Sequence, residues 1–238
     1  MNILNVSIMS SRKEVMLVNN LNLKTKDLFQ TEDNILKKWF DKSVYPWEIL
    51  PWIKDIIKEV MENGENNYHL YKEGVLVGNN VTISPTSTII APAIIGDDTE
   101  VRPGAYIRGN VIIGKACVIG NSSELKNCIL LNHVQVPHYN YIGDSILGDY
   151  AHMGAGSILS NLKSDGKNVV IHANEDYQTG LRKVGSFLGE HADIGCGSVL
   201  NPGTVVGKGT QVYPLVMLRG AYPANSIVKG TKEIVDKE

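Results

Sequence analysis

Residues 77–131, VGNNVTISPTSTIIAPAIIGDDTEVRPGAYIRGNVIIGKACVIGNSSELKNCILL, carry an aliphatic residue at every sixth position. The series is Val77, Ile83, Ile89, Ile95, Val101, Ile107, Ile113, Ile119, Leu125 and Leu131. In a chain that is 43% hydrophobic, such a run at one phase has a chance of roughly 2 in 10,000, so the repeat is real. Glycine follows the aliphatic at Gly78, Gly96, Gly114 and Gly120. Small or β-branched residues such as Ser87, Thr99, Ala105 and Cys117 stand four places after it. This is the hexapeptide pattern of a left-handed parallel β-helix. Each hexapeptide gives one short strand and a turn, with one aliphatic pointing inward. Three close a triangular coil, so residues roughly 18 apart stack on one face. A single coil cannot bury its inner surface, but a stack can.

To the right of this run lies residues 125–161, LKNCILLNHVQVPHYNYIGDSILGDYAHMGAGSILSN. A second register begins there at Leu147, Met153 and Leu159, out of phase with the first. His138 sits where the phase is expected to slip, beside Tyr141 and Asn140. The repeat then stops for residues 160–187, a segment too long and polar for a coil, expected to be an extended arm that serves a site or an interface. A third register follows at Leu188, Ile194, Leu200, Val206, Val212 and Leu218, and YPANSIVKG reads as an exit strand.

To the left, Val15-Met16-Leu17-Val18 is compatible with a short strand. Thr31 suits the N-cap of a short helix through Phe40, stopped by Pro46. In YPWEILPWIKDIIKEVMENG, Pro51 suits a first helical turn. Ile53, Ile56, Ile57, Val60 and Met61 make one apolar stripe, and Gly64 is a fitting stop. That stripe must pack on something, and a cap over the end of the coil is the plain expectation. The domain division is therefore a helical region at 1–74 and a β-helix at 75–238 with its arm at 160–187; the fold class is mainly β.

The chain has 238 residues and a formal net charge of −2, which leaves no electrostatic case for nucleic acid. MNILNVSIMSSRKEVML has no apolar h-region and no cleavage site, so a signal peptide is not expected, and no run approaches the length of a membrane span. Cys117, Cys128 and Cys196 are odd in number and form no CxxC pair, so they read as free thiols in a reducing compartment. A cytoplasmic location is expected.

Several separate segments, in order, carry a resemblance: YPWEIL, SSELKN, PHYNYIGDS, LGDYAHMGAGSILSN and TGLRKVGSFLGEHADIGCGSVLNPGTVVG. Together they resemble the acetyltransferase domain of the bifunctional glucosamine-1-phosphate N-acetyltransferase/UDP-N-acetylglucosamine pyrophosphorylases, above all the archaeal-type sugar-1-phosphate nucleotidyltransferase/acetyltransferases. The likeness covers about residues 45–230. The glycine-rich nucleotidyltransferase domain of those enzymes has no counterpart here, so pyrophosphorylase activity is expected to be absent. The resemblance implies transfer of an acetyl group from acetyl-CoA, as co-substrate, to an amino-sugar 1-phosphate. It also implies a homotrimer with sites between subunits, and it implies no resident metal.

Residue by residue, the resemblance makes His138 the base, a role that suits imidazole because an ammonium must lose a proton before it attacks a thioester. It makes Tyr141, Lys126, Asn161 and Lys167 acceptor-binding residues. For the phosphate arginine, Arg108 stands one coil before Lys126, whereas Arg102-Pro103 has the family's local sequence; spacing favours Arg108. Ala155, Cys196 and Lys229 fall on acetyl-CoA positions. His152 stands where those enzymes often carry Asn.

Two other readings remain at this point. His133 and His138 have the H-x4-H spacing of a γ-type carbonic anhydrase, with His152 as a third zinc ligand. A non-catalytic β-helix that retains a ligand site is the other.

Overall fold

The computed structural model describes residues 21, 23–31, 34–63, 68–230 and 233–237. The strand considered at Val15–Val18 lies outside them. From residue 75 the chain winds as a left-handed parallel β-helix with three flat sheets, here faces I, II and III in the order the chain meets them. Face I includes Val111–Ile113 and Cys128–Leu130, face II Val118–Asn121 and Gln135–His138, and face III Glu124–Lys126 and Tyr141–Gly143. Among the described residues, faces I and II hold nine strands each and face III seven. Antiparallel strands close two of the open edges, His69–Lys72 on face I and Glu233–Asp236 on face II. Exposed edges invite pairing with other chains, and these strands cover them.

The inward aliphatics form one continuous core, with Ile107, Ile113, Ile119 and Leu125 fully buried. The first register runs as read until Leu125, which pairs with Ile107, eighteen residues earlier. Leu130 then pairs with Ile113, seventeen residues earlier. The coil has lost one residue at the corner Asn127, so Leu130 points into the core and Leu131 points out. A second five-residue step runs from Ile142 to Leu147 around Asp144. The phase slip thus falls at Asn127 and Asp144, not at His138. Val136, beside His138, pairs with Ile119 in the shortened register without a further break. Both corner residues hold left-handed backbone, φ 47° in each, with no Cβ-free glycine to ease it. Short polar side chains tolerate this conformation best.

Face I differs from the other two in its outer surface. The residue before each inward aliphatic is also apolar: Ile94, Ile112, Ile129, Ile146, Phe187 and Val205. These point outward into a second core supplied by the N-terminal region. Helices α1 (Thr25–Leu28), α2 (Asn34–Lys42) and α3 (Ile53–Asn63) provide Leu28, Phe40, Ile53, Ile56 and Ile57 to it. Pro51 sits in the 3-10 turn Leu50–Trp52 that leads into α3, where its missing N–H is harmless. Helix α3 touches the mid-face strand Val111–Ile113. The helical region therefore covers a flank, not the end expected from its stripe alone.

The arm folds back onto the same flank. Its hairpin pairs Val170–His172 with Asp176–Gln178, and Val169, Ile171 and Val184 are fully buried in the second core. Tyr177 meets the edges of Tyr45 and Trp47 at 5.4 and 6.2 Å, and Trp47 packs on Phe187 at 6.1 Å. The apolar side of the arm is thus satisfied within its own chain.

Candidate active site

The corner between faces II and III brings His138, Ala155 and Cys196 into one column. Pairing of Val136, Met153 and Ile194 along face II sets these residues one coil apart, each two places past its inward aliphatic. The Gly156 N–H donates to the His138 carbonyl at 3.0 Å, and the Gly197 N–H to the Ala155 carbonyl at 2.9 Å. Successive coils are about 4.8 Å apart. In other coils the same corner position is Pro103 or Pro214, residues with no N–H, so the backbone ladder has no use for a donor there. The His138 N–H is instead taken by Asn140 Oδ1 at 3.1 Å. The Ala155 N–H donates to no acceptor among the described residues. An unclaimed donor one coil from an imidazole is the kind of group that can stabilise an oxyanion.

Asn140 fixes this corner. It is 2% exposed, and its Nδ2 donates to Gly154 O at 2.8 Å, Ser157 O at 3.3 Å and Ser157 Oγ at 3.0 Å. One buried amide thereby ties the His138 backbone to the turn that carries Ala155. Gly120 lets the coils approach here: a Cβ on it would lie 1.6 Å from Pro137 O. His138 itself is exposed.

Face III carries the remaining acceptor candidates. Outward residues alternate along a strand, so Tyr106 and Arg108 share one coil, and Glu124 and Lys126 the next. Ile107 opposite Leu125 sets Arg108 beside Lys126. Arg108 is already engaged: Nη1 donates to Glu124 Oε1 at 2.6 Å, and its guanidinium lies 5.7 Å from the Tyr106 ring centre. The Glu124 bond raises the Arg108 pKa further. The Lys126 ammonium has no partner among the described residues. Arg102 lies on face II, paired with Glu100 at 3.0 Å, and stacks over Gly120 rather than Lys126.

Tyr141 pairs with Glu124 across the next coil step. Burial pushes its phenol pKa up, with the Glu124 and Asp144 charges adding to the effect. Its hydroxyl accepts from Asn161 Nδ2 at 3.2 Å. The same amide donates to Asp144 Oδ2 at 2.6 Å, and Asn127 Nδ2 donates to Asp144 Oδ1 at 2.8 Å. An Asn–Asp–Asn ladder thus closes the far edge of face III, at the shortened corners.

The sequence reading passes over Glu124 and Asp144, and it notes Asn140 without its anchoring role. Period-2 alternation from Lys126 would have found Glu124, and the five-residue steps flag Asp144. Lys167 lies at the exposed start of the arm, where its backbone N–H meets Asp165 Oδ1 at 3.0 Å; no hydrogen bond joins its side chain to Tyr141 or Asn161. Lys229, on Ser226–Gly230, is four coil steps from the level of His138, roughly 19 Å along the axis, and pairs loosely with Glu233 at 3.9 Å.

The other histidines stand apart from His138. His133 stacks on Tyr150 at 4.4 Å, on the corner between faces I and II. His152 bonds Asp193 Oδ1 at 2.8 Å on face II. Among the described residues no three His, Cys, Asp or Glu side chains converge as a metal site. Cys117 and Cys128 are buried free thiols, and burial pushes the Cys117 pKa up to about 12; Cys196 is exposed. No helix among the described residues is long and apolar enough to cross a membrane.

Residues 89–176 match the family model described as the GMPPB C-terminal domain. A bifunctional protein GlmU of Methanococcus aeolicus is 30% identical over 250 residues, covering 96% of this chain and 56% of that protein. The bifunctional sugar-1-phosphate nucleotidylyltransferase/acetyltransferase of Sulfurisphaera tokodaii is 29% identical over 211 residues, covering 86% and 52%. The chain spans about half the length of these relatives. Among solved structures, the UDP-N-acetylglucosamine acyltransferase of Campylobacter jejuni has a TM-score of 0.49 at 16% identity, with 68% of this chain and 63% of that one aligned. Its β-helix is the fold of the hexapeptide-repeat acetyltransferases. Within them it matches the acetyltransferase portion of the bifunctional sugar-1-phosphate nucleotidyltransferase/acetyltransferases.

Proposed function

We propose that the protein moves the acetyl group of acetyl-CoA to the amine of an amino-sugar 1-phosphate. The observation that carries this reading is the corner column: His138 stands one coil above an unclaimed Ala155 N–H, with the Tyr141–Asn161 pair on the adjoining face. The acceptor phosphate meets Lys126 and Arg108, the latter shared with Glu124. Tyr141, Asn161 and Lys167 fix the sugar ring. His138 takes a proton from the amine as its nitrogen bonds to the thioester carbon. The oxygen of the tetrahedral adduct faces the Ala155 N–H. The adduct collapses, the C–S bond breaks, and the imidazolium returns its proton to the departing thiolate. Acetyl-CoA runs from Ala155 past Cys196 along the corner, with Lys229 toward its phosphates.

The acting assembly is proposed to be a homotrimer. Below Tyr141, face III presents Ile158, Val199 and Met217 in register, 38%, 37% and 48% exposed. A second copy of the chain would cover this stripe and border the His138 corner, and a three-fold arrangement does so with one interface type.

The test is thiol release from acetyl-CoA in the presence of glucosamine 1-phosphate, galactosamine 1-phosphate, their N-acetylated forms, or no acceptor. Release should require a free amine and match N-acetylated product one for one. Equal release without an amine would sink the proposal.

A further inference from the structure

A second cleft, with an apolar wall and a charged rim, lies around the corner from face III, where faces III and I meet. It encloses about 360 Å³. Three separate parts of the chain build it: the start of α3 supplies Lys54, the shortened corners supply Asn127 and Asp144, and the segment that follows the arm's hairpin supplies Leu181, Arg182 and Lys183. None of Lys54, Arg182 and Lys183 has a hydrogen bond or an ion pair to its side chain among the described residues. They converge from two elements far apart in sequence. The one carboxylate lining the cleft, Asp144, is 6% exposed and spends each oxygen on an amide donor, Asn127 or Asn161. The local balance is three cations against one anion.

We propose that this cleft is a second ligand site, one that binds a phosphate monoester of a small hydroxylated or amine-bearing metabolite. A monoester carries close to two negative charges near neutral pH, the charge that the three cations and Asp144 leave unmatched. Arg182 offers the planar donor fork that suits phosphate. The buried Asp144 carboxylate repels a bare anion but accepts from a hydroxyl or ammonium on the same molecule. Leu181 supplies an apolar wall for the carbon skeleton. The site does not depend on the acetyl-transfer reading, because it uses none of Arg108, Lys126 or His138. It does share Asp144 with Asn161, so an occupant sits two hydrogen bonds from Tyr141.

The experiment is ³¹P NMR or calorimetric titration of the full chain at low salt, with inorganic phosphate and, separately, glycerol 2-phosphate. It is run on the natural chain and on an Arg108→Gln/Lys126→Gln background that removes the acceptor's phosphate contacts. We expect saturable binding of one equivalent that survives in that background, with the ester tighter than inorganic phosphate. Arg182→Gln or Lys183→Gln, each placed in that background, should weaken it about fivefold to tenfold, as should added salt. These residues are exposed, and circular dichroism confirms that the variants stay folded. Binding that vanishes with Arg108 and Lys126, that ignores Arg182 and Lys183, or that never saturates at millimolar concentrations overturns the site.

Discussion

Face I and face III share one inward repeat and differ in what they show outside. On face I the outward residue of each coil is apolar, mostly Ile, Val or Phe, and the chain's own helices and arm cover it. On face III the outward residues include Tyr106, Glu124 and Tyr141 in the earlier coils and Ile158, Val199 and Met217 in the later ones, with no helix or arm over them among the described residues. The inner positions make the coil; the outer ones decide what each face meets. Face I is closed within the chain and contributes stability, whereas face III and its two corners stay open and hold the polar groups that can do chemistry.

The largest effect expected from breaking this contrast is at Phe187. It is the biggest fully buried side chain and touches Trp47. Phe187→Ala should cost about 3–5 kcal/mol of unfolding free energy, read from denaturant midpoints at unchanged slope. A loss below about 1 kcal/mol would show that the flank is loosely packed. Next comes face III itself. Val199→Glu with Met217→Glu should leave circular dichroism unchanged yet dissociate the assembly in light scattering; an assembly that persists contradicts the proposed interface.

Lys126→Ala should raise the acceptor KM about tenfold with kcat little changed, because the phosphate is bound alike in ground and transition states. A fall confined to kcat would assign Lys126 to the reacting centre instead. The smallest effect is on face II. The hydrogen bond from His152 holds the Asp193 carboxyl below its usual 3.8. A depressed carboxyl pKa adds stability above the unfolded value, and that stability is lost as pH falls through the folded value. Asp193→Asn should therefore lower the melting point slightly at pH 7, with the gap closing once pH drops below about 3.8. Both partners are near half exposed, so the shift is small; a gap unchanged at low pH would mean that the pair contributes through packing alone.

The fold was legible because an inward aliphatic every six residues is a pattern local sequence alone sustains. The cover on face I was equally visible, as the tandem aliphatics Ala93-Ile94-Ile95, Val111-Ile112-Ile113 and Cys128-Ile129-Leu130, but a six-residue phase counts only one of each set. Taking Leu131 as inward hid the five-residue step at Asn127, and with it the buried Asp144. His138, Ala155 and Cys196 were named through resemblance; their alignment in one column follows from coil register, which the sequence implies once the steps are placed. The Arg108–Glu124 pair and the convergence of Lys54 with Arg182 and Lys183 depend on three-dimensional closure, and no spacing rule reports them.

The central claim is that His138 acts as the base at the open corner. Single-turnover transfer from acetyl-CoA to the best amino-sugar 1-phosphate, compared between the natural chain and His138→Ala, tests it most directly. The rate should fall about 100- to 10,000-fold, with acetyl-CoA affinity nearly unchanged and the thermal midpoint preserved, since the side chain is exposed. A variant that transfers acetyl at a near-normal rate would contradict the assignment.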